Sequence, residues 1–196
     1  MKIKIGFLLL LALAIAVSEA ANERILATEE TDYQLEPSED SHVSQLNSNS
    51  NYGKDEVMSV RSYRSNTESL NHRIYIKFDL IDLQNHHVVS TTLRLFKYVE
   101  GAHVGSRRIN VVTVVDQWSE TTINWGNQPR IVEKPSSSMQ VGAAMNWYEC
   151  DLTVAVQSWI DDPIQNNGFC LLDSEEDSAV DYASVFLSRE AVEMYM

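Results

Sequence analysis

Residues 118–129 read WSETTINWGNQP, and the direction in which the two tryptophans point decides the fold. Trp118 and Trp125 lie seven residues apart among hydroxyls, amides and one carboxylate. Side by side on a surface they would make a flat platform for a sugar ring. Turned inward they would peg a turn to a core. In an unbroken strand the side chains alternate with period two, so residues seven apart face opposite ways. Ser119, Glu120, Thr121 and Thr122 interrupt the strand-like run before them, and a turn there returns both indoles to one side. Gly126, free to take positive φ, and Pro129 then close a second turn. The stretch reads as two inward pegs on a β fold.

Short β-like runs flank it on both sides. Upstream these are YQLEP (33–37), SHVSQ (41–45), VMSVRSYR (57–64), HRIYIKFDL (72–80) and TTLRLFKYVE (91–100). HRIYIKFDL alternates cleanly, with Ile74, Ile76 and Phe78 on one face and Arg73, Tyr75 and Lys77 on the other. INVVTVVDQW (109–118) is apolar on both faces, the pattern of a central strand. Downstream come WYECDL (147–152), GFCLLD (168–173) and ASVFLS (183–188). One helix is predicted in DLTVAVQSWIDDP (151–163): Leu152, Val156, Trp159 and Ile160 share a face, Asp151 or Thr153 caps the start, and Pro163 ends it. The expectation is an all-β fold, a jelly-roll β-sandwich of two antiparallel sheets with one short helix.

The first twenty residues, MKIKIGFLLLLALAIAVSEA, have the charges, apolar run and small-residue end of a secretory signal, with cleavage after Ala20. The apolar run, Gly6 to Val17, is shorter than the roughly 20 residues a membrane helix needs. The chain therefore reads as secreted, extracellular or at the cell surface, without membrane insertion. Residues 21–32 read as a flexible leader and 33–196 as one domain. A net charge of −13 argues against a nucleic-acid partner, whose phosphates require many Lys and Arg contacts. The histidines form no HExxH motif and no G-x-S-x-G elbow occurs, so no catalytic constellation is legible and the chain reads as no enzyme. Cys150 and Cys170 are either bridged, as the compartment allows, or two independent buried thiols.

Several segments in order resemble one known family. PSEDSHVSQLNSNSNYGKDEVMSV (37–60) resembles its opening strand and asparagine-rich loop, and NHRIYIKFDLIDL with STTLRLFKY its central hairpin. WSETTINWGNQP resembles its signature, WYECDLTVAVQSWIDDPIQNNGFCLLD its strand–helix–strand, and SVFLSREA its late Ser-Arg-Glu stretch. The chain is similar, from about residue 33 to 191, to the DNRLRE domain family. Those are secreted carbohydrate-binding modules of archaeal disaggregatase-related proteins, also appended to alginate lyases. The resemblance implies a jelly roll, a polysaccharide ligand, no catalysis and no required cofactor. Family members continue past Ser-Arg-Glu into another apolar strand, where this sequence has only Ala191 to Met196. Val192, Met194 and Met196 alternate as a clipped closing strand would. An edge left unpaired there would invite self-association. The alternative function is therefore a structural surface or filament subunit that assembles by β-strand addition.

Candidate ligand residues follow from the alternation. Paired as neighbours, VMSVRSYR and HRIYIKFDL place Arg61, Tyr63, Arg73, Tyr75 and Lys77 on one face with Arg64 at the rim. Guanidinium groups bind carboxylates bidentately and tyrosine rings stack on pyranoses, so this patch suits an acidic polysaccharide of uronate type. Arg73 reads as structural, leaving Arg61, Tyr63, Arg64, Tyr75 and Lys77 as the ligand set. Asn51 and Tyr52, in the NSNSNYGKD loop (47–55), are further sugar contacts or plain turn formers. Asp173, Glu175 and Asp177 offer hard oxygens to a structural Ca²⁺, or form a solvated acidic loop.

Overall fold

Eleven strands and one α-helix form in the residues described by the computed structural model, 2–9, 29–98 and 106–191. In chain order the strands are β1 (Lys2–Leu9), β2 (Glu29–Leu35), β3 (Glu39–Ser44), β4 (Val57–Ser62), β5 (His72–Lys77) and β6 (His87–Phe96). They continue with β7 (Arg107–Thr113), β8 (Ser137–Val141), β9 (Trp147–Asp151), β10 (Phe169–Asp173) and β11 (Tyr182–Leu187), and helix α1 (Thr153–Asp161) joins β9 to β10. The smaller sheet has the order β2-β1-β6-β9. The larger has β11-β4-β5-β10-β7-β8, with β3 also paired to β5. Its ladders are antiparallel throughout, as are those of the smaller sheet.

Alternation explains the main core. Ile74 and Ile76 of β5, Ile109 and Val111 of β7, and Phe169 and Leu171 of β10 face Leu93 and Leu95 of β6 across the sandwich. α1 closes this core with Val156, Trp159 and Ile160, and the Trp159 and Phe169 rings lie 4.4 Å apart. The helix is tied to β6 by side chains: the Val88 N–H donates to Gln157 Oε1 and the Thr91 N–H to Thr153 Oγ1. The helix begins at Thr153 with Asp151 Oδ1 accepting the Thr153 N–H, and it ends two residues before Pro163.

The larger sheet buries its outer face as well. Tyr75, Val112 and Cys170 form a second cluster there with Val43, Val114 and Ile123, covered by Trp118 and Trp125. That second layer is why β7 and β10 are apolar on both faces. It also separates the cysteines: Cys150 faces the inter-sheet core, while Cys170 points from β10 into the outer cluster. Of the two alternatives, bridge or independent thiols, the second holds: the larger sheet lies between two free, buried thiols. Burial pushes both up to about 12.

Other expectations shift. The 109–118 strand ends at Thr113, and β8 arises in a stretch where no strand was expected, with Met139 and Val141 pointing inward between polar neighbours. Residues 29–32, read as leader, begin β2. The front of the segment read as an export signal, Lys2–Leu9, lies as β1 between β2 and β6. Residues 10–28, including the rest of that segment, and the alternating Val192, Met194 and Met196 lie outside the described residues.

Candidate functional site

The tryptophan stretch is built as two turns docked on the outer cluster. Trp118 and Trp125 pack on the same cluster, Trp118 tilted against Tyr75 with ring centroids 5.7 Å apart. The Trp118 indole N–H donates to the Asn167 carbonyl at 2.8 Å, and Arg73 lies over Trp125 at 5.0 Å. A reciprocal capping box between Asn124 and Asn127 shapes the turn at Trp125–Asn127. Both indoles are pegs.

The predicted Arg/Tyr face does not assemble as one platform. β4 and β5 meet at a single bridge, Arg61 to His72, because β10 takes the rest of that β5 edge, at Ile74 to Ile76, while β3 lines the opposite edge. Tyr75 is fully buried and donates to Gln128 Oε1 at 2.9 Å, so it is not a sugar contact. Burial pushes its phenol pKa up. Arg61 clasps Asp181 bidentately at 2.9 and 2.5 Å, and Arg73 clasps Glu176 at 2.7 and 2.6 Å. Arg64 stands 3.6 Å from Asp177 and is exposed. Lys77 lies 3.8 Å from Glu39 in an open cleft of about 540 Å³ that also exposes Asp79, Gln84 and Asn166. Tyr63 is half-buried. The patch is thus largely neutralised by acids brought in from elsewhere in the chain.

The asparagine-rich loop serves the fold in the same way. Asn51 donates to the carbonyls of Glu120 and Ile123 at 2.7 and 2.8 Å, stapling this loop to the tryptophan stretch. Tyr52 stacks on His42 with centroids 4.3 Å apart. His42 and His72 are both pushed down to about 4 by burial, so both are neutral, and Ser59 and Ser44 hydrogen-bond the His72 ring.

The acidic run holds arginines. Asp173 and Glu175 share Arg107, at 2.8 and 3.0 Å, while Asp177 accepts from Asn71 at 2.8 Å. Among the described residues, the one group of three ligand-type side chains with atoms within 4.8 Å of one another lies elsewhere, at Asp40, Glu120 and Glu190. Asp40 and Glu120 are buried, and Arg189 reaches Glu120 and Glu190. Burial, aided by Glu190 and Glu120, pushes Asp40 up to about 7 against the hydrogen bond from the Arg189 backbone N–H. Glu190, despite its own burial, is held down by hydrogen bonds from Arg189 and Asp40. Gly53 permits the close packing here, since a Cβ on it would stand 2.2 Å from the Glu120 carbonyl oxygen.

Two surface features escaped the sequence reading. On the outer face of the smaller sheet, Arg94 pairs with Glu149 and Phe96 with Trp147 across β6 and β9. Trp147 is 40 % exposed, with the Arg94 guanidinium over its ring at 4.9 Å and Phe96 edge-on at 5.4 Å. The alternation of WYECDL carried half of that signal: Cys150 and Leu152 inward put Trp147 and Glu149 outward, but whether that face is covered does not show in the alternation. On the larger sheet, Arg107, Arg108, Asn110, Gln140 and Ser174 line an open groove of about 570 Å³. Arg108 is exposed there, with no ion-pair partner among the described residues.

No helix among the described residues is long and apolar enough to cross a membrane. A search of curated proteins gave no match. The model of carbohydrate-binding module family 96 matches residues 31–194, spanning β2 to β11, both β layers and the tryptophan pegs. With most of the chain matched, the protein belongs to carbohydrate-binding module family 96.

Proposed function

We propose that this chain is an exported, non-catalytic carbohydrate-binding module whose sugar platform is the Trp147 surface. The observation that carries this reading is an indole 40 % exposed on a β-sheet face and held in place by Arg94 and Phe96. A pyranose stacks its C–H face on such a ring, and the ring's fixed orientation lowers the entropy cost of binding. Arg94 and Glu149, paired at 2.5 Å beside it, offer donors and acceptors to ring hydroxyls. The motif resemblance to the DNRLRE modules supports the same class of ligand, and an acidic, uronate-type polymer is the form that the exposed Arg108 favours.

Trp147→Ala is expected to weaken glycan binding at least about tenfold, the loss of a desolvated aromatic contact of roughly 1.5–3 kcal/mol. Affinity electrophoresis in gels of neutral glycans and of polyuronates measures it, with Arg108→Ala weakening retardation only on the polyuronate. Unchanged retardation of Trp147→Ala on every retarding gel would remove Trp147 as the platform.

A second reading, a surface or filament subunit, is favoured by the position of β1. Export with cleavage after Ala20 would take Lys2–Leu9 out of the smaller sheet, leaving β2 and β6 with a strand-wide gap between them. Unpaired backbone at such edges accepts a strand from another molecule. N-terminal sequencing of chain recovered outside the cell is expected to begin at Ala21, and light scattering of that material to show oligomers. A chain that begins at Met1, or a cleaved chain that stays monomeric at high concentration, would remove this second reading.

A further inference from the structure

Three carboxylates converge from parts of the chain far apart in sequence: Asp40 in β3, Glu120 in the tryptophan stretch and Glu190 beyond β11. Asp40 is 1 % exposed and Glu120 7 %. Arg189 is the cation placed among them, donating to Glu120, to Glu190 at 2.8 Å and, through its backbone N–H, to Asp40 Oδ2 at 2.9 Å. One guanidinium against three carboxylates leaves a surplus of two negative charges when all are ionised. Two buried oxygens, Asp40 Oδ1 and Glu190 Oε2, have no partner when both acids are ionised, and Asp40 can donate to Glu190 only while it keeps a proton. Buried polar atoms rarely go unpaired, and an unpaired charged oxygen is the costliest kind.

We propose that Asp40, Glu120 and Glu190 form a structural Ca²⁺ site that clamps β3, the tryptophan stretch and the end of β11 together. A divalent cation cancels the surplus of two and supplies a partner for both orphaned oxygens. An all-carboxylate donor set selects a hard cation over zinc or copper. Ca²⁺–oxygen distances of about 2.3–2.6 Å allow two ligands of one ion to stand up to about 5 Å apart. The 4.8 Å within which these oxygens gather falls inside the calcium limit. The site is separate from the Asp173, Glu175 and Asp177 run, whose first two carboxylates are held by Arg107. It does not depend on the glycan reading, since its readouts contain no sugar.

The test uses the full chain stripped with EDTA, titrated with CaCl₂ by calorimetry, and unfolded thermally with and without the ion. One ion per chain is expected, with a Tm rise of about 5–10 °C at a hundredfold excess over Kd. Asp40→Asn keeps the shape and the hydrogen bond from Arg189 but removes one surplus charge. It is expected to lose the calorimetric signal and to be at least as stable as the unsubstituted chain in EDTA. Glu190→Gln is the second variant, read the same way if Asp40→Asn does not fold. No uptake and equal Tm with and without Ca²⁺ would overturn the site in favour of a proton shared by Asp40 and Glu190. Undiminished uptake by both variants would overturn it too, placing the ion elsewhere.

Discussion

Arg189→Met in metal-free buffer is expected to lower unfolding free energy by about 3 kcal/mol, the low end of what breaking a buried ion pair costs. The low end applies because the arginine side chain is 32 % exposed while Glu120 is only 9 %. The loss comes less from the vanished attraction than from the acids left behind. Asp40, Glu120 and Glu190 would lie within 4.8 Å of one another with no cation between them. The carbonyl of Ser38, which also accepts from this guanidinium, would lose that donor as well. Methionine retains most of the stem's volume, so packing changes little and the charge effect is isolated. Urea unfolding of Arg189→Met, Glu120→Gln and the double variant measures it: the double variant should recover part of the loss, since one stranded charge is gone. Additive losses in that cycle would show that Arg189 and Glu120 do not act as a pair.

Gly168→Ala should cost at least about 3 kcal/mol, because two penalties fall on one residue. Its φ is +83°, a region that costs a residue with a Cβ about 1–3 kcal/mol. The added Cβ would also stand 2.3 Å from the Ile76 carbonyl oxygen and 3.0 Å from the Lys77 Cα, both backbone atoms of β5 or next to it. Relieving that contact means moving β10 from β5, a join in the middle of the larger sheet. Overpacking of this kind adds about 1–3 kcal/mol. Asparagine tolerates positive φ better than alanine but brings the same Cβ, so Gly168→Asn should recover only part of the loss. A shift of the urea midpoint reports both variants; a Gly168→Ala midpoint equal to that of the parent chain would refute the close approach.

What could be read locally was read correctly. The clean alternation of HRIYIKFDL put Ile74, Ile76 and Phe78 in the inter-sheet core and Tyr75 on the other face, where it lies. The broken parity around Ser119–Thr122 put both indoles on one side, and the helix face Leu152, Val156, Trp159 and Ile160 is buried as its period requires. β8 was missed because only Met139 and Val141, in a serine-rich stretch, mark it. Trp147 was missed as a surface residue because a tryptophan in a strand reads the same whether its face is covered or open.

By itself the sequence determined the β class, the helix and the inward tryptophans, since each rests on side chains a few residues apart on one strand or turn, and its motifs in order pointed to a carbohydrate-binding module. The tertiary structure alone decided which charges are spent and which are free. Arg61 meets Asp181 across 120 residues, Arg73 meets Glu176 across 103, and Asp40 meets Glu120 across 80. Alternation says which way a side chain points, but strand order and register say what it points at. β10, by occupying most of the β5 edge that β4 also meets, dissolved the predicted Arg/Tyr platform. The same long-range register gathered three acids around one arginine and left Trp147 exposed on an open face.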